Sequence, residues 1–298
     1  MMYVVVNVHA GDSQKSDSRL DRLKQALRDQ EIEAEVLTPR DGETLQDCAE
    51  RAIADGADTL VAAGGDGTIA ALAGPCHRAN TKLGIVPMGT FNYFARAHGI
   101  SQELDRAVAL LAQRPERDVA LGTVNGRIFL NNVSIGVYPT ILQEREDIYD
   151  RYGRSRIAAY WSVLKALARR PQSLKLKLKL DGATENVSTP LAFVAASAFQ
   201  LDQFDLKGRD VLAKNMFPMF VAPQVTSRAL LKTAWRLSLG KAVKGPDYRL
   251  LTAKEIEITP EESPVLVACD GEKIHMESPL RIRWSDRPLQ LIAPQDDA

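Results

Sequence analysis

Thr59-Leu60-Val61-Ala62-Ala63-Gly64-Gly65-Asp66-Gly67-Thr68 is the stretch on which the reading of the fold turns. Five residues of strand character run into a glycine cluster, and Ile69 to Leu72 continue as a helix. Glycines at a strand-to-helix turn free the backbone for unusual dihedrals and expose its N–H groups. Together with the helix N-terminus they make an anion site suited to phosphate. Asp66 adds a carboxylate, which would repel a phosphate unless Mg²⁺ lay between them. A tight turn without a ligand uses the same residues, so the motif is weighed with its surroundings.

Upstream, strand and helix alternate. Residues 2–8 are an apolar run. Asp17 is positioned to cap a helix with Leu20, Leu23 and Leu27 on one face. Ile32 to Leu37 forms a second strand, and Thr44 opens a helix with Leu45, Cys48, Ala49 and Ile53 facing inward. Downstream, Lys82 to Val86 is a further strand. This rhythm predicts a parallel sheet with helices on both faces. Ligands of such sheets bind outside the carboxyl ends of the strands. The loop after the last of these strands reads Pro87-Met88-Gly89-Thr90-Phe91-Asn92. Thr90 and Asn92 offer hydrogen bonds to a nucleotide, or alternatively cap the next helix.

From about residue 115 the pattern changes. Val119 to Val124, Arg127 to Ile135, Leu174 to Leu180, Leu191 to Ala196, Pro218 to Ala222, Glu255 to Thr259 and Val265 to Ala268 read as strands. Asn125-Gly126, Asp181-Gly182 and Asp270-Gly271 are hairpin turn signals. Two helices are predicted near 155–169 and 226–238. The sequence therefore predicts an α/β N-terminal domain with a parallel sheet and a β-rich, largely antiparallel C-terminal domain. The boundaries expected are 1–122 with a return over 280–298, and 123–279 between them. Leu289 to Ala293 is the strand that returns.

Composition narrows the class. The 298 residues are 45% hydrophobic and 26% charged, which excludes low-complexity disorder and collagen. Three cysteines, Cys48, Cys76 and Cys269, lie far apart with no CxxC, so neither a disulfide framework nor a zinc site is expected. No cationic leader and no run of about 18–20 apolar residues occurs. A soluble, cytoplasmic protein is the expectation. His9, His77, His98 and His275 are scattered; only His9 lies in a loop where a nucleotide contact is plausible.

Asp270-Gly271-Glu272 completes the set of chemistry-bearing signals. As two carboxylates around a glycine it is equally a hairpin turn. In order and context, however, the motifs resemble the diacylglycerol kinase catalytic-domain family, which includes sphingosine and ceramide kinases. Asn7-Val8-His9-Ala10-Gly11 looks like that family's Asn-Pro-x-Ser-Gly loop with Pro and Ser replaced. Gly64 to Thr68, Gly84 to Arg96 and Phe129-Leu130-Asn131-Asn132-Val133-Ser134-Ile135-Gly136 follow, and Asp270 to Glu272 closes the series. The Phe-Asn-Tyr-Phe variant at 91–94 is most similar to the bacterial branch.

The resemblance implies ATP bound by the first domain and γ-phosphoryl transfer to a lipid hydroxyl. By the family pattern, Gly64, Gly65, Gly67 and Thr68 would hold phosphates, with Asn7, Gly11, Asp66, Gly89, Thr90 and Asn92 completing the nucleotide site. Asp270 would be the catalytic base, and Glu272 would sit near Mg-ATP, with Asp66 and Glu272 as the carboxylates toward Mg²⁺. The family's Asp-x-x-Asp-Gly-like segment, associated with a structural metal, is not found in residues 209–223. The physics agrees: phosphoryl transfer needs positioning, charge stabilisation and one base aimed at the acceptor hydroxyl. Two other readings compete. One is NAD kinase, which shares Gly-Gly-Asp-Gly-Thr but has a Leu-Gly-Phe-Leu type second loop. The other is a nucleotide- or lipid-binding regulator without turnover.

The charges balance, 38 Lys+Arg against 38 Asp+Glu, but unevenly along the chain. Residues 151–249 hold 18 basic and 6 acidic residues, and the remainder 20 and 32. Leu174 to Leu180 alternates Leu with Lys175, Lys177 and Lys179, giving a lysine face. Arg228, Lys232 and Arg236 would share one side of the predicted 226–238 helix. Such lysines suit either an ordinary solvated face or reversible docking on the anionic inner face of a membrane, where the lipid substrate would reside. No nucleic-acid motif accompanies the charge, so no nucleic-acid partner is expected.

Overall fold

The computed structural model describes residues 1–7, 13–136, 173–203, 205–223 and 248–295. His9 and Gly11, the helices predicted near 155–169 and 226–238, and Arg228, Lys232 and Arg236 lie outside the described residues. Chain contacts divide the protein into two units, Met1–Asn131 with Trp284–Ala298, and Asn132–Arg283.

The first unit is built on β1 (Met2–Val6), β2 (Ala34–Leu37), β3 (Thr59–Gly64), β4 (Lys82–Pro87), β5 (Glu116–Val119) and β18 (Leu289–Ile292), in the order β2-β1-β3-β4-β18-β5. The pairs β1–β2, β1–β3, β3–β4 and β4–β18 are parallel, and β18–β5 is antiparallel. All residues of β1 and β3 are buried, as expected for central strands covered on both faces. Helices α1 (Ser13–Asp29) and α5 (Leu104–Gln113) pack together, and α2 (Leu45–Ala54) packs on α3 (Asp66–Ala79). Right-handed crossovers place these pairs on opposite faces of the sheet. Thr44 and Asp47 form a reciprocal capping box at the start of α2. The chain leaves β1 for β2 on one side and returns as β3 on the other. The crevice at their carboxyl ends is therefore the topological switch point, where such sheets bind ligands.

The helix α1 begins at Ser13, so Asp17 lies inside it and does not cap it. The run expected as one strand over 119–124 is two elements. Val119 ends β5, paired with Leu289, while Gly122 opens β6 (Gly122–Val124), which forms a hairpin with β7 (Arg127–Phe129). The run 127–135 likewise breaks at Leu130-Asn131, where β8 (Asn132–Gly136) begins. Leu121 and Leu130 at the two breaks are themselves buried, so their hydrophobicity carries no signal of the change.

The second unit is antiparallel. One sheet contains β10 (Ala183–Thr189), β9 (Leu174–Leu180), β14 (Ile256–Pro260) and β17 (Leu280–Trp284), adjacent in that order. The other orders β13 (Arg249–Ala253), β12 (Phe217–Val221), β11 (Leu191–Ala195), β8, β15 (Val265–Cys269) and β16 (Glu272–Met276). In β9, Leu176 and Leu178 are buried and Lys175, Lys177 and Lys179 exposed, as the alternation predicts. Strands β10, β13, β16 and β17 are not among those expected from the sequence, although the Asp181-Gly182 and Asp270-Gly271 turn signals point to β10 and β16. The polar side chains of β10 (Ala-Thr-Glu-Asn-Val-Ser-Thr) suit a sheet edge. Two short helices, α6 (Ala198–Gln203) and α7 (Arg209–Leu212), also escape the sequence pattern. Among the described residues no helix is long and apolar enough to cross a membrane.

Candidate active site

In the first unit the structure interlocks the two glycine loops. An added Cβ on Gly89 would lie 2.5 Å from the Gly65 Cα and 2.7 Å from Asn92 Oδ1. The two backbones therefore touch, and only glycine fits at Gly89. The Met88 N–H donates to the Gly64 carbonyl at 2.8 Å, which carries the β3–β4 ladder into the loops. Gly64 has a different reason: a Cβ there would fall 2.3 Å from Thr68 Oγ1, because the buried Thr68 side chain folds over it. Gly64, expected to hold phosphate, and Gly89, expected to complete the nucleotide site, are thus each required by packing.

Gly67 is the exception. It is exposed, sits in the first turn of α3, and a Cβ added to it would meet nothing within 4 Å. A glycine in a helix is less stable than alanine by about 0.5–1 kcal/mol, and here the fold gives no reason for it. The opening at Gly67 lies beside the first-turn amides of a 14-residue helix whose N-cap, Gly65, has no capping side chain. That combination fits a phosphate group approaching the backbone.

Asp66 acts as a clamp. Helix α4 (Tyr93–Ala97) has Asn92 at its N-cap, in the left-handed region at φ +51°, and the Asn92 side chain makes no capping bond. The Asp66 carboxylate replaces it, accepting from the Phe94 N–H at 3.3 Å with the amides of Asn92 and Tyr93 also turned toward it. Burial pushes the Asp66 carboxyl above its ordinary value, against the opposing pull of those amides. Asp66 is thus already engaged at a helix N-terminus rather than displayed as a bare metal ligand. Asn92 is buried and equally engaged: Oδ1 accepts from the Gly89 N–H at 3.1 Å, and Nδ2 donates to the Gly89 carbonyl at 3.0 Å and Gln102 Oε1 at 2.8 Å. Its contribution to any ligand site is the shape of the loop. Thr90 is exposed, and Phe91 is 50% exposed with its ring stacked on Tyr93 at 5.5 Å. Asn7 follows β1 at the switch point, its N–H toward the Ala63 carbonyl at 3.4 Å.

The second unit carries Asp270. It forms, with Gly271, the two-residue turn between β15 and β16, at φ +49° and +88°. Positive φ at both positions is the type I′ hairpin turn, so the turn reading holds in full. Asp270 also reaches sideways. Its N–H donates to the Asn132 carbonyl at 3.0 Å, and its Oδ1 accepts from the Asn132 N–H at 3.1 Å. A half-buried carboxylate is thereby fixed at the start of β8. Glu272 is exposed at the first position of β16. It pairs with Cys269, which pairs with Val133, so it projects from the face of the sheet opposite Asn132. Among the described residues no group of three or more His, Cys, Asp or Glu could hold a metal ion.

The lysine face of β9 is mixed in charge. Lys175 pairs with Glu261 at 3.1 Å, and Glu257 lies directly opposite Lys179.

Residues 1–124 match the family model of the diacylglycerol kinase catalytic domain. A Pseudomonas aeruginosa protein named probable lipid kinase YegS-like is 38% identical over 135 residues, covering 45% of this chain and 44% of that protein. The chain thus matches less than half the length of that relative. A Staphylococcus aureus diacylglycerol kinase is 26% identical over 252 residues, 83% of this chain and 78% of that one. The crystal structure of a diacylglycerol kinase from Bacillus anthracis superimposes with a TM-score of 0.70 at 22% identity, covering 100% of this chain and 98% of that one. At that identity the likeness is one of fold.

Proposed function

Residues 1–124 match the diacylglycerol kinase catalytic domain, and from that match we propose that the protein is an ATP-dependent lipid kinase. The observation that carries the proposal is the opening at Gly67, at the N-terminus of α3 and beside the interlocked loops. In this reading the β- and γ-phosphates lie against the amides of Gly65 to Thr68. Mg²⁺ carried by the nucleotide would supply charge neutralisation on the transferred group. Asp270 accepts the proton of a lipid hydroxyl as its oxygen bonds to the γ-phosphorus. The bond from that phosphorus to the β–γ bridging oxygen breaks, and ADP leaves. The Asn132 N–H keeps the Asp270 carboxylate aimed while it does so.

Gly67→Ala tests the phosphate site. Its methyl group fills the opening without touching the fold, so stability should stay level or rise by about 0.5–1 kcal/mol. ATP affinity, measured by calorimetry with Mg²⁺, should fall at least about tenfold, the effect of losing one charge-assisted contact. Unchanged ATP affinity would remove the phosphates from this loop.

A membrane-facing role for Lys175, Lys177 and Lys179 belongs to the same proposal. Replacing all three by Gln should weaken binding to anionic vesicles at low salt by about tenfold, with ATP affinity constant. The neighbouring Glu261 and Glu257 keep the effect below that of three unpaired lysines. Equal binding of the variant and the parent would return this strand to a plain solvated face.

A further inference from the structure

Among the described residues of the second unit, two buried polar side-chain atoms have no hydrogen-bond partner. Asn132 and Ser134 alternate along β8 and therefore share one face of the sheet. They are 4% and 2% exposed. Asn132 Nδ2 donates to Gln200 Oε1 on α6 at 3.0 Å, which places α6 over that face. Those two atoms are Asn132 Oδ1 and Ser134 Oγ. Leaving such a group unpaired costs about 1–3 kcal/mol, and alanine in its place would carry no such cost.

Their surroundings run from polar to apolar. The same Asn132 holds Asp270 through its backbone N–H and carbonyl. Across the sheet, Phe193 is the register partner of Ser134, and Phe220 the partner of Phe193, with ring centroids 6.0 Å apart. Tyr248 follows at 6.3 Å from Phe220, and Leu201 closes the cluster. One face thus presents these two oxygen atoms next to Asp270 and an aromatic row leading away, in which Phe193 and Tyr248 are half-buried and Phe220 is buried between them.

We propose that Asn132 and Ser134 bind the hydroxyl-bearing head of the acceptor lipid beside Asp270, with its chain lying against the half-buried Phe193 and Tyr248. Asn132 Oδ1 can only accept, so the group it meets is an O–H or N–H donor. Ser134 Oγ can accept or donate, and about 7 Å of strand separates the two residues, so they engage different atoms of one head. The inference rests on the lipid kinase reading and adds to it which residues recognise the acceptor.

The test uses full-length protein, ATP with Mg²⁺, and 1,2-dioctanoylglycerol in mixed micelles. Ser134→Ala removes an unpaired hydroxyl, so the thermal midpoint should stay level or rise. The KM for dioctanoylglycerol should increase roughly tenfold, the KM for ATP should not move, and Ser134→Thr should restore the acceptor KM. A merely structural serine would show no such split between the two substrates. Wild-type turnover with an unchanged acceptor KM in Ser134→Ala overturns the site and leaves the kinase reading standing. A wild-type protein that binds ATP but phosphorylates no hydroxyl-bearing lipid overturns the kinase reading, and this inference falls with it.

Discussion

Asp270→Asn should lower lipid phosphorylation by about 10²–10⁴-fold while leaving the fold and ATP binding intact. The separation of the two effects follows from the turn. Asp270 stands at φ +49°, a conformation that asparagine adopts readily. Its Oδ1 accepts from the Asn132 N–H, and the amide oxygen of asparagine can do the same. What the substitution removes is the ability to take a proton. The chain contains its own control. Asp181 occupies the equivalent position of another Asp-Gly hairpin at φ +48°, and its carboxylate accepts from the backbone amides of Lys254 and Glu255 at 3.0 and 2.9 Å. The two aspartates perform the same task for the fold. Asp181→Asn should therefore leave turnover unchanged. Equal activity in both variants would reduce Asp270 to a residue that pins a turn.

Gly89→Ala should have the second large effect, on stability and nucleotide binding together. The nearest atom to the new methyl group is the Gly65 Cα at 2.5 Å, which is backbone and cannot rotate aside. Relieving the overlap means separating the two loops, at about 1–3 kcal/mol by the usual cost of overpacking. The separation also disturbs the two hydrogen bonds exchanged between Gly89 and Asn92 and the one from the Phe94 N–H to Asp66. ATP affinity should then fall at least about tenfold, with an earlier denaturation midpoint. Gly67→Ala in the partner loop should weaken ATP in the same direction with no loss of stability. Opposite behaviour of the two midpoints is what distinguishes a glycine that makes room for the fold from one that makes room for a ligand. Normal ATP binding in Gly89→Ala would show that the loop contact is not needed for the site.

The parallel sheet was readable because its strands are short apolar runs separated by helix-period segments. The Leu-Lys alternation of β9 was readable for a related reason, since one buried face imposes a period of two. Strand ends within apolar runs were not readable. Leu121 and Leu130 are both buried, and nothing in their hydrophobicity marks that the chain changes direction there. The polar edge strand β10 was hidden for the opposite reason, having little apolar surface to bury. At the site, the glycine motifs announced themselves, but not the division of labour among them. Gly64 and Gly89 answer to side chains and backbone distant in sequence, and only coordinates reveal the contact. Asp66 was legible as a carboxylate and not as the cap of α4, whose N-terminus lies 27 residues away. Asn132 and Ser134 sat within a recognised motif, yet polar residues in a strand carry no sign of whether their partners exist.

The central claim is that this chain moves the γ-phosphoryl of ATP onto a lipid hydroxyl. The most direct test incubates the purified protein with γ-labelled ATP, Mg²⁺ and vesicles of mixed hydroxyl-bearing lipids, then resolves the organic extract. The account predicts labelled lipid from the wild-type protein and its near-complete loss in Asp270→Asn. Tight ATP binding with no label in any lipid, or label transferred to NAD instead, would contradict it.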